Sequence, residues 1–406
     1  MAVVTNEPTG PVDHVSVEQA INKAFSPHAP INQAALFRGR REQIREVVDT
    51  VTAEGLHAVI YGERGVGKTS LANIINDFLG GVVSVSKVIC GQGDSFDGVI
   101  RRAMGTIQLT MPRSALGLTS ASETSSFNLL SRFPDVGEVS PDAAATLLSQ
   151  VPLLLVIVID EFDRLTTGQP GAFADFLKAL SDRGAMTTVV LIGVAEDVNA
   201  LLGSHASVVR NLRQIHLPRM SDHELGDVID NGLASIGFSL ESDAPRKRIV
   251  SVSQGFPHYT HLLAQYAARA AHDDGRTVLR DVDVVAGMRQ AVERGDQSHR
   301  DLYYRATTGT RKKHLWREVV AGCALAESDE RGYFSIRNAQ EKVSEVTRRV
   351  TSQQAISYHL GKLTHEDRGP LLERTGPERR YRYRFVNSLM RPFILMKAMN
   401  DGLISP

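Results

Sequence analysis

The chain holds only two cysteines in 406 residues. Cys90 and Cys323 lie far apart and fit neither a disulfide framework nor a metal-ligand spacing. Both read as reduced core thiols of a cytoplasmic protein. Long hydrophobic runs are missing as well. The longest, 151–159, is too short for a bilayer and ends in Asp160-Glu161, which excludes it as a membrane span. The N-terminal stretch is broken by prolines and polar residues, which argues against a secretory leader. No internal repeat is visible. Net charge is also absent, with 46 Lys and Arg against 46 Asp and Glu. That balance is uneven, however: residues 304–399 hold 19 Lys and Arg against 10 Asp and Glu. Such a basic third either meets an anionic partner or forms a solubilising face.

What is present is an ordinary apolar fraction of 42% and a length suited to two or three domains. The informative stretch is 57–72, HAVIYGERGVGKTSLA: a short apolar strand, a glycine loop and a helix start. Gly62, Gly67, Lys68 and Thr69 fit the phosphate-loop pattern G-x-x-x-x-G-K-[ST]. Glycines let the backbone curl until successive N–H groups point at phosphate oxygens. The helix that follows adds free N–H groups and the positive end of its dipole. Lys68 then reaches the β- and γ-phosphates, and the Thr69 hydroxyl reaches Mg²⁺. Glu63, Arg64, Gly65, Val66 and Ser70 complete the expected nucleotide cradle. The competing explanation is a plain glycine turn with a surface lysine; the flanking strand and helix patterns argue against it.

About 90 residues on, VIVIDEFD joins an apolar strand to an acidic pair. Asp160 at the strand end is placed to hold Mg²⁺, directly or through water. Glu161 is placed to orient and deprotonate the attacking water. The same residues could instead cap a helix, but beside a phosphate loop they read as the second half of a nucleotide site.

The set resembles AAA+ ATPases, in particular the origin-recognition, initiator-like and transposition-regulator-like bacterial branch. The matching pieces are Phe37-Arg38-Gly39-Arg40, GERGVGKT, VIDEFD, LIGVAED, HASVVRNLRQIHLPRM, GFPHYTHLL and a C-terminal winged helix. The resemblance implies ATP and Mg²⁺ as ligands, with Phe37 and Arg38 bordering the adenine. Where the family often keeps an Asn sensor of the γ-phosphate, this chain has Glu196. Arg210, or failing that Arg213, would reach a neighbouring subunit as an arginine finger, so a homo-oligomer is implied. A structural role at the sheet edge is the alternative. Many relatives carry a second sensor arginine after Gly-x-Pro; here that place holds His258, a weaker phosphate contact or a structural histidine.

The expected fold is α/β, a P-loop parallel sheet with helices on both faces, then a small all-helical lid and a winged-helix domain. The expected bounds are an N-terminal arm over 1–30, the ATPase core over 31–220, the lid over 221–295, a polar linker over 296–310 and the winged helix over 311–406. The Ser/Thr-rich stretch 114–131 reads as an exposed insertion or loop.

In the last domain Thr351-Ser352-Gln353-Gln354 reads as a capping box at the start of a helix, with Val350 placed to staple against Ala355. Ile356, Leu360 and Leu363 share one face; Gln353, Gln354, Ser357, Tyr358 and Lys362 share the other, as in a DNA-recognition helix. The following hairpin carries Arg374, Arg379, Arg380, Arg382 and Arg384, interleaved with Tyr381 and Tyr383. These suit phosphate contact with double-stranded DNA. Glu373 and Glu378 suit a second reading, in which the arginines form salt bridges and the domain contacts protein. Two main functions follow: an ATP-switched, oligomerising DNA-binding regulator, or a signalling or defence-type ATPase switch that controls a protein effector without touching DNA. A non-hydrolysing nucleotide-binding scaffold is a third.

Overall fold

The computed structural model describes residues 11–27, 40–79, 83–112, 124–132, 137–166, 168–195, 198–202, 208–309, 315–378 and 380–405. The chain forms two compact units: 31–63 with 68–217, and 1–30 with 64–67 and 218–406.

Along the chain, α1 (Pro11–Ala24) belongs to the second unit. The first unit then runs α2 (Arg41–Val51), β1 (His57–Gly62), α3 (Lys68–Leu79), β2 (Ser84–Ile89) and α4 (Phe96–Thr106). It continues with β3 (Gln108–Pro112), β4 (Thr124–Asn128), α5 (Pro141–Ser149), β5 (Leu155–Asp160) and α6 (Gln169–Asp182). β6 (Thr187–Val194), α7 (Val198–Leu202) and β7 (Leu212–His216) complete it. Five strands form one parallel sheet in the order β2-β5-β6-β1-β7. All six residues of β5 are buried, as befits a strand covered on both faces. That is why 155–159 reads as a continuous apolar run rather than an alternating one. Ser95 and Ser140 cap α4 and α5, accepting from the N–H groups of Gly98 and Ala143. The stretch expected as a Ser/Thr loop carries β4, paired antiparallel with β3; residues 113–123 between them lie outside the described residues. Cys90 and Cys323 are both free and buried.

The second unit is mostly helical: α8 (Asp222–Ser235), α9 (Asp243–Ser253), α10 (Pro257–Asp273), α11 (Asp281–Arg294) and α12 (Gln297–Thr307). The two-residue strands β8 (Ser239–Leu240) and β9 (Val278–Leu279) pair parallel. Ser221 and Glu224 form the expected capping box of α8. Two expectations need correction. Residues 11–24 are a docked helix, not an arm: Phe25 is fully buried, and a Cβ on Gly232 would come within 2.4 Å of its ring. Arg269 pairs with Glu18 at 3.0 Å, and Gln265 donates to the Phe25 carbonyl at 2.6 Å. The polar linker is mostly α12, capped by Asp296. A polar sequence signalled exposure there, but the cap and the buried Tyr303 and Ala306 hold a helix.

The unit ends in α13 (Trp316–Leu325), β10 (Phe334–Ser335), α14 (Ile336–Thr347), α15 (Gln353–Leu363), β11 (Leu372–Thr375), β12 (Arg382–Phe385) and α16 (Met390–Asn400). β10, β12 and β11 make a three-stranded antiparallel sheet. The cap of α15 is Ser352, accepting from Ala355 N–H, because Thr351 is buried and tied to Ser344. Val350 is 96% exposed, so the expected staple does not form.

Candidate nucleotide site

β1 delivers the chain to the phosphate loop along the buried centre of the sheet. Gly62 is required at its end: a Cβ there would lie 2.4 Å from the Leu217 carbonyl oxygen. Gly67 has φ +98°, a conformation that side chains resist, just before α3 begins at Lys68. Lys68 is buried, and its ammonium donates to the carbonyls of Gly62 at 2.9 Å and Glu63 at 2.7 Å. The lysine is folded over the start of its own loop. Thr69 and Ser70 follow in the first turn of α3, both half-buried. Glu63, Gly65 and Gly67 are half-buried, Val66 is buried and Arg64 is exposed.

Asp160 ends β5 and is 2% exposed. Its Oδ1 accepts the Glu161 N–H at 2.9 Å. Its Oδ2 is buried with no hydrogen-bond partner among the described residues. A buried carboxylate oxygen without a hydrogen bond is costly unless a cation stands near it; the Lys87 ammonium lies 3.5 Å away, too far to bond it fully. Among the described residues no three His, Cys, Asp or Glu gather as a metal cage. A single buried carboxylate suits Mg²⁺, which keeps waters and takes phosphate oxygens for the rest. The residues present therefore fit that ion.

Glu161 sits at φ +56°, an unusual backbone for a non-glycine residue and typical of functional turns. The turn is pinned on both sides. Phe162 is buried and meets Phe173 edge-on, ring centres 5.1 Å apart. Asp163 accepts the Val194 N–H at 2.7 Å, tying the acidic turn to the end of β6. The Glu161 carboxylate pairs with Arg164 at 3.0 Å.

His57 opens β1 inside the core. Its Nε2–H donates to the Leu177 carbonyl and its Nδ1 accepts the Val189 N–H, both at 3.1 Å. Burial holds the ring neutral, pushing its pKa down to about 4. Burial likewise pushes the Cys90 thiol up to about 12 and the Cys323 thiol up, so neither is a reactive thiolate.

The remaining candidates scatter. Arg210 lies exposed in a 3-10 turn just before β7, and Arg213 is exposed on β7 at the sheet edge. His258, in the second unit, is half-buried in the first turn of α10 and donates from Nδ1 to the Pro27 carbonyl at 2.8 Å. Phe37, Arg38, Glu196 and Arg379 lie outside the described residues. On α15, Gln353, Gln354 and Tyr358 are exposed and Ser357 and Lys362 half-buried, opposite the buried Ile356, Leu360 and Leu363. Of the hairpin arginines, Arg380 is exposed, Arg382 pairs with Asp329 at 3.0 Å, and Arg384 pairs with Glu373. Sequence reasoning did not single out Lys87, Asn73, Asp163 or Arg164, because their partners come from neighbouring strands and turns. Lys87 in an otherwise strand-like run was the one visible signal.

A phosphate loop at the end of an interior parallel strand, with an acidic strand end one strand removed in the same sheet, defines a P-loop NTPase, an enzyme that hydrolyses nucleoside triphosphate. The family model described as "Novel STAND NTPase 1" matches residues 24–360, and the chain belongs to that family. No curated protein matches the sequence. Among solved structures, the Walker-type ATPase PABY2304 of Pyrococcus abyssi is 11% identical, with 90% of this chain and 98% of that one covered and a TM-score of 0.51. It shares the fold. Cdc6p of Pyrobaculum aerophilum is 15% identical over 94% of this chain and 99% of its own, with a TM-score of 0.47. The ORC1 protein of Aeropyrum pernix, solved in complex with DNA, is 15% identical over 94% and 97%, with a TM-score of 0.45. No described helix is long and apolar enough to cross a membrane.

Proposed function

We propose that this chain binds ATP with Mg²⁺, hydrolyses it, and uses the ATP state to switch an oligomer that engages double-stranded DNA. The observation that carries the nucleotide half is the unbonded, buried Asp160 Oδ2 in the same sheet as the Lys68 loop. In this reading Lys68 leaves the Gly62 and Glu63 carbonyls for the phosphates. Thr69 and Asp160 hold Mg²⁺, which would neutralise charge on the phosphates. Glu161 turns from Arg164 to the attacking water and takes its proton. The exposed Arg210 acts in trans on a neighbour's nucleotide, and His258, bonded to the Pro27 carbonyl, keeps only the weak sensor role that the AAA+ resemblance implies.

We read 31–220 as the ATPase core, 221–295 as the lid and 311–406 as a winged-helix domain of the initiator-like AAA+ type, in the cytoplasm. The DNA half rests on the polar face of α15 and on exposed Arg374 and Arg380. Arg382 and Arg384 are engaged by Asp329 and Glu373, which favours a second reading: an ATPase switch acting on a protein effector. One experiment separates them. Binding to duplex DNA is titrated against salt, with ATPase activity and particle size followed in parallel. The DNA reading expects affinity to fall steeply with salt and the slope to shrink in Arg380→Ala/Arg382→Ala. Flat, negligible binding leaves the protein-effector reading.

A further inference from the structure

Lys87 is the one basic residue of β2, in the run SVSKVI. In the parallel register Ile89 stands opposite Asp160, and Lys87, two residues earlier, shares its face of the sheet. The Lys87 ammonium lies 3.5 Å from Asp160 Oδ2, the oxygen that lacks a hydrogen bond. The same ammonium donates to the Asn73 side-chain oxygen. Asn73 is one helical turn past Thr69 on α3, so the two share a helix face. The Lys87 side chain is 24% exposed and that of Asp160 is 3% exposed, so water screens the pair only weakly.

A cation 3.5 Å from that oxygen competes for the charge that a metal would use there. Two cations drawn to one carboxylate oxygen repel each other, and the repulsion is strong where water is scarce. We propose that Lys87, held by Asn73, is a built-in counter-cation for Asp160 that competes with Mg²⁺ and makes nucleotide binding less dependent on the metal. The inference rests on the magnesium-site reading above. With Mg²⁺ bound, the lysine would keep its Asn73 contact and give up Asp160. Without the metal, the lysine keeps the buried carboxylate from facing the phosphates uncompensated.

The test measures binding, not turnover. A fluorescent N-methylanthraniloyl-ADP is titrated into the full chain in MgCl₂ and in EDTA, and the ratio of the two Kd values is taken. In Lys87→Met the ratio should rise about tenfold over the parent, because the metal gains an unopposed site and the metal-free state loses its cation. Lys87→Arg, which keeps the charge, should stay within about threefold of the parent. Lys87→Gln should behave as Lys87→Met and replaces it should the methionine variant fail to fold. An unchanged ratio in the neutral variants, while Asp160→Asn flattens the ratio, overturns the role of Lys87 and leaves the metal site standing. A ratio near one in the parent and in Lys87→Met alike, or a parent ratio well above one that Asp160→Asn does not change, overturns the metal site and the inference with it.

Discussion

The nucleotide end of the parallel sheet and the C-terminal hairpin treat charge in opposite ways. At the sheet end, Asp160 is buried with one oxygen unbonded, and Glu161 is held in a left-handed backbone. In the hairpin, Arg382 and Arg384 have carboxylate partners, and Arg374 lies 4.6 Å over the Tyr381 ring. A buried carboxylate oxygen that has a lysine 3.5 Å away but no hydrogen bond still has room for a ligand; arginines already hydrogen-bonded to carboxylates at the surface gain little from a newcomer. The contrast ranks the two halves of the proposed function, and variants can break it.

The largest effect is expected from Lys68→Ala. In the proposed site the lysine would supply a charge-assisted contact at the phosphates, so nucleotide affinity should fall about 100-fold or more in a titration with fluorescent ADP. Retained affinity would break the contrast at its strongest point. Glu161→Gln comes next. It should keep nucleotide binding while turnover falls by about 10²- to 10⁴-fold, measured as phosphate release. Parent-like turnover would move the base elsewhere, with Asp163 unsuited because it is committed to Val194.

The same contrast explains what could be read without coordinates. The loop and the acidic pair were legible because their chemistry is set by neighbours in sequence: Gly62 to Thr69 along one turn, Asp160 beside Glu161. The strands β1, β5 and β6 were legible because sheet interiors demand unbroken apolar runs. Lys87 was not, since only the β2–β5 register carries it to Asp160. Nor was the docking of α1, whose weak periodicity hides an anchor, Phe25, that depends on a glycine far along the chain. The hairpin arginines were visible, but the partner of Arg382, Asp329, is remote in sequence.

Stability sharpens the comparison further. Arg391 is a buried arginine in the second unit that donates to the Ala324 and Ala326 carbonyls and to Ser328, at 2.6–2.7 Å. It closes the end of α13, where carbonyls lack helical partners and the dipole favours a cation. Arg391→Ala should cost about 3 kcal/mol in urea unfolding, since buried acceptors are left unmet. His57 in the first unit should contribute about as much, but only above acid pH. Its pKa drops from 6.5 to about 4 on folding, so the unfolded chain binds the extra proton. Stability is therefore complete above about pH 6.5 and is lost as pH falls towards 4, by about 3 kcal/mol at most. His57→Gln should flatten that part of the pH profile. His261 on α10 and His299 on α12, both in the second unit, are also depressed by burial, so the remaining slope reports on those two helices.

The smallest effect belongs to the hairpin. Arg382 is about half exposed and its pair with Asp329 is open to solvent, so Arg382→Ala should change stability by less than about 1 kcal/mol. Its effect on DNA should be equally modest, lowering the salt slope by about one unit for one lost phosphate contact. Asp329→Ala is the sharper probe, because it frees Arg382 without removing it. If the hairpin meets phosphate, the freed guanidinium should strengthen duplex binding at low salt. If the hairpin meets a protein or nothing, the variant should leave DNA binding at background. A gain in the Asp329 variant together with a loss in the Arg382 variant would mean that the ion pair restrains a phosphate-binding arginine. The hairpin would then resemble the sheet end after all, with Asp329 doing for Arg382 what Lys87 does for Asp160.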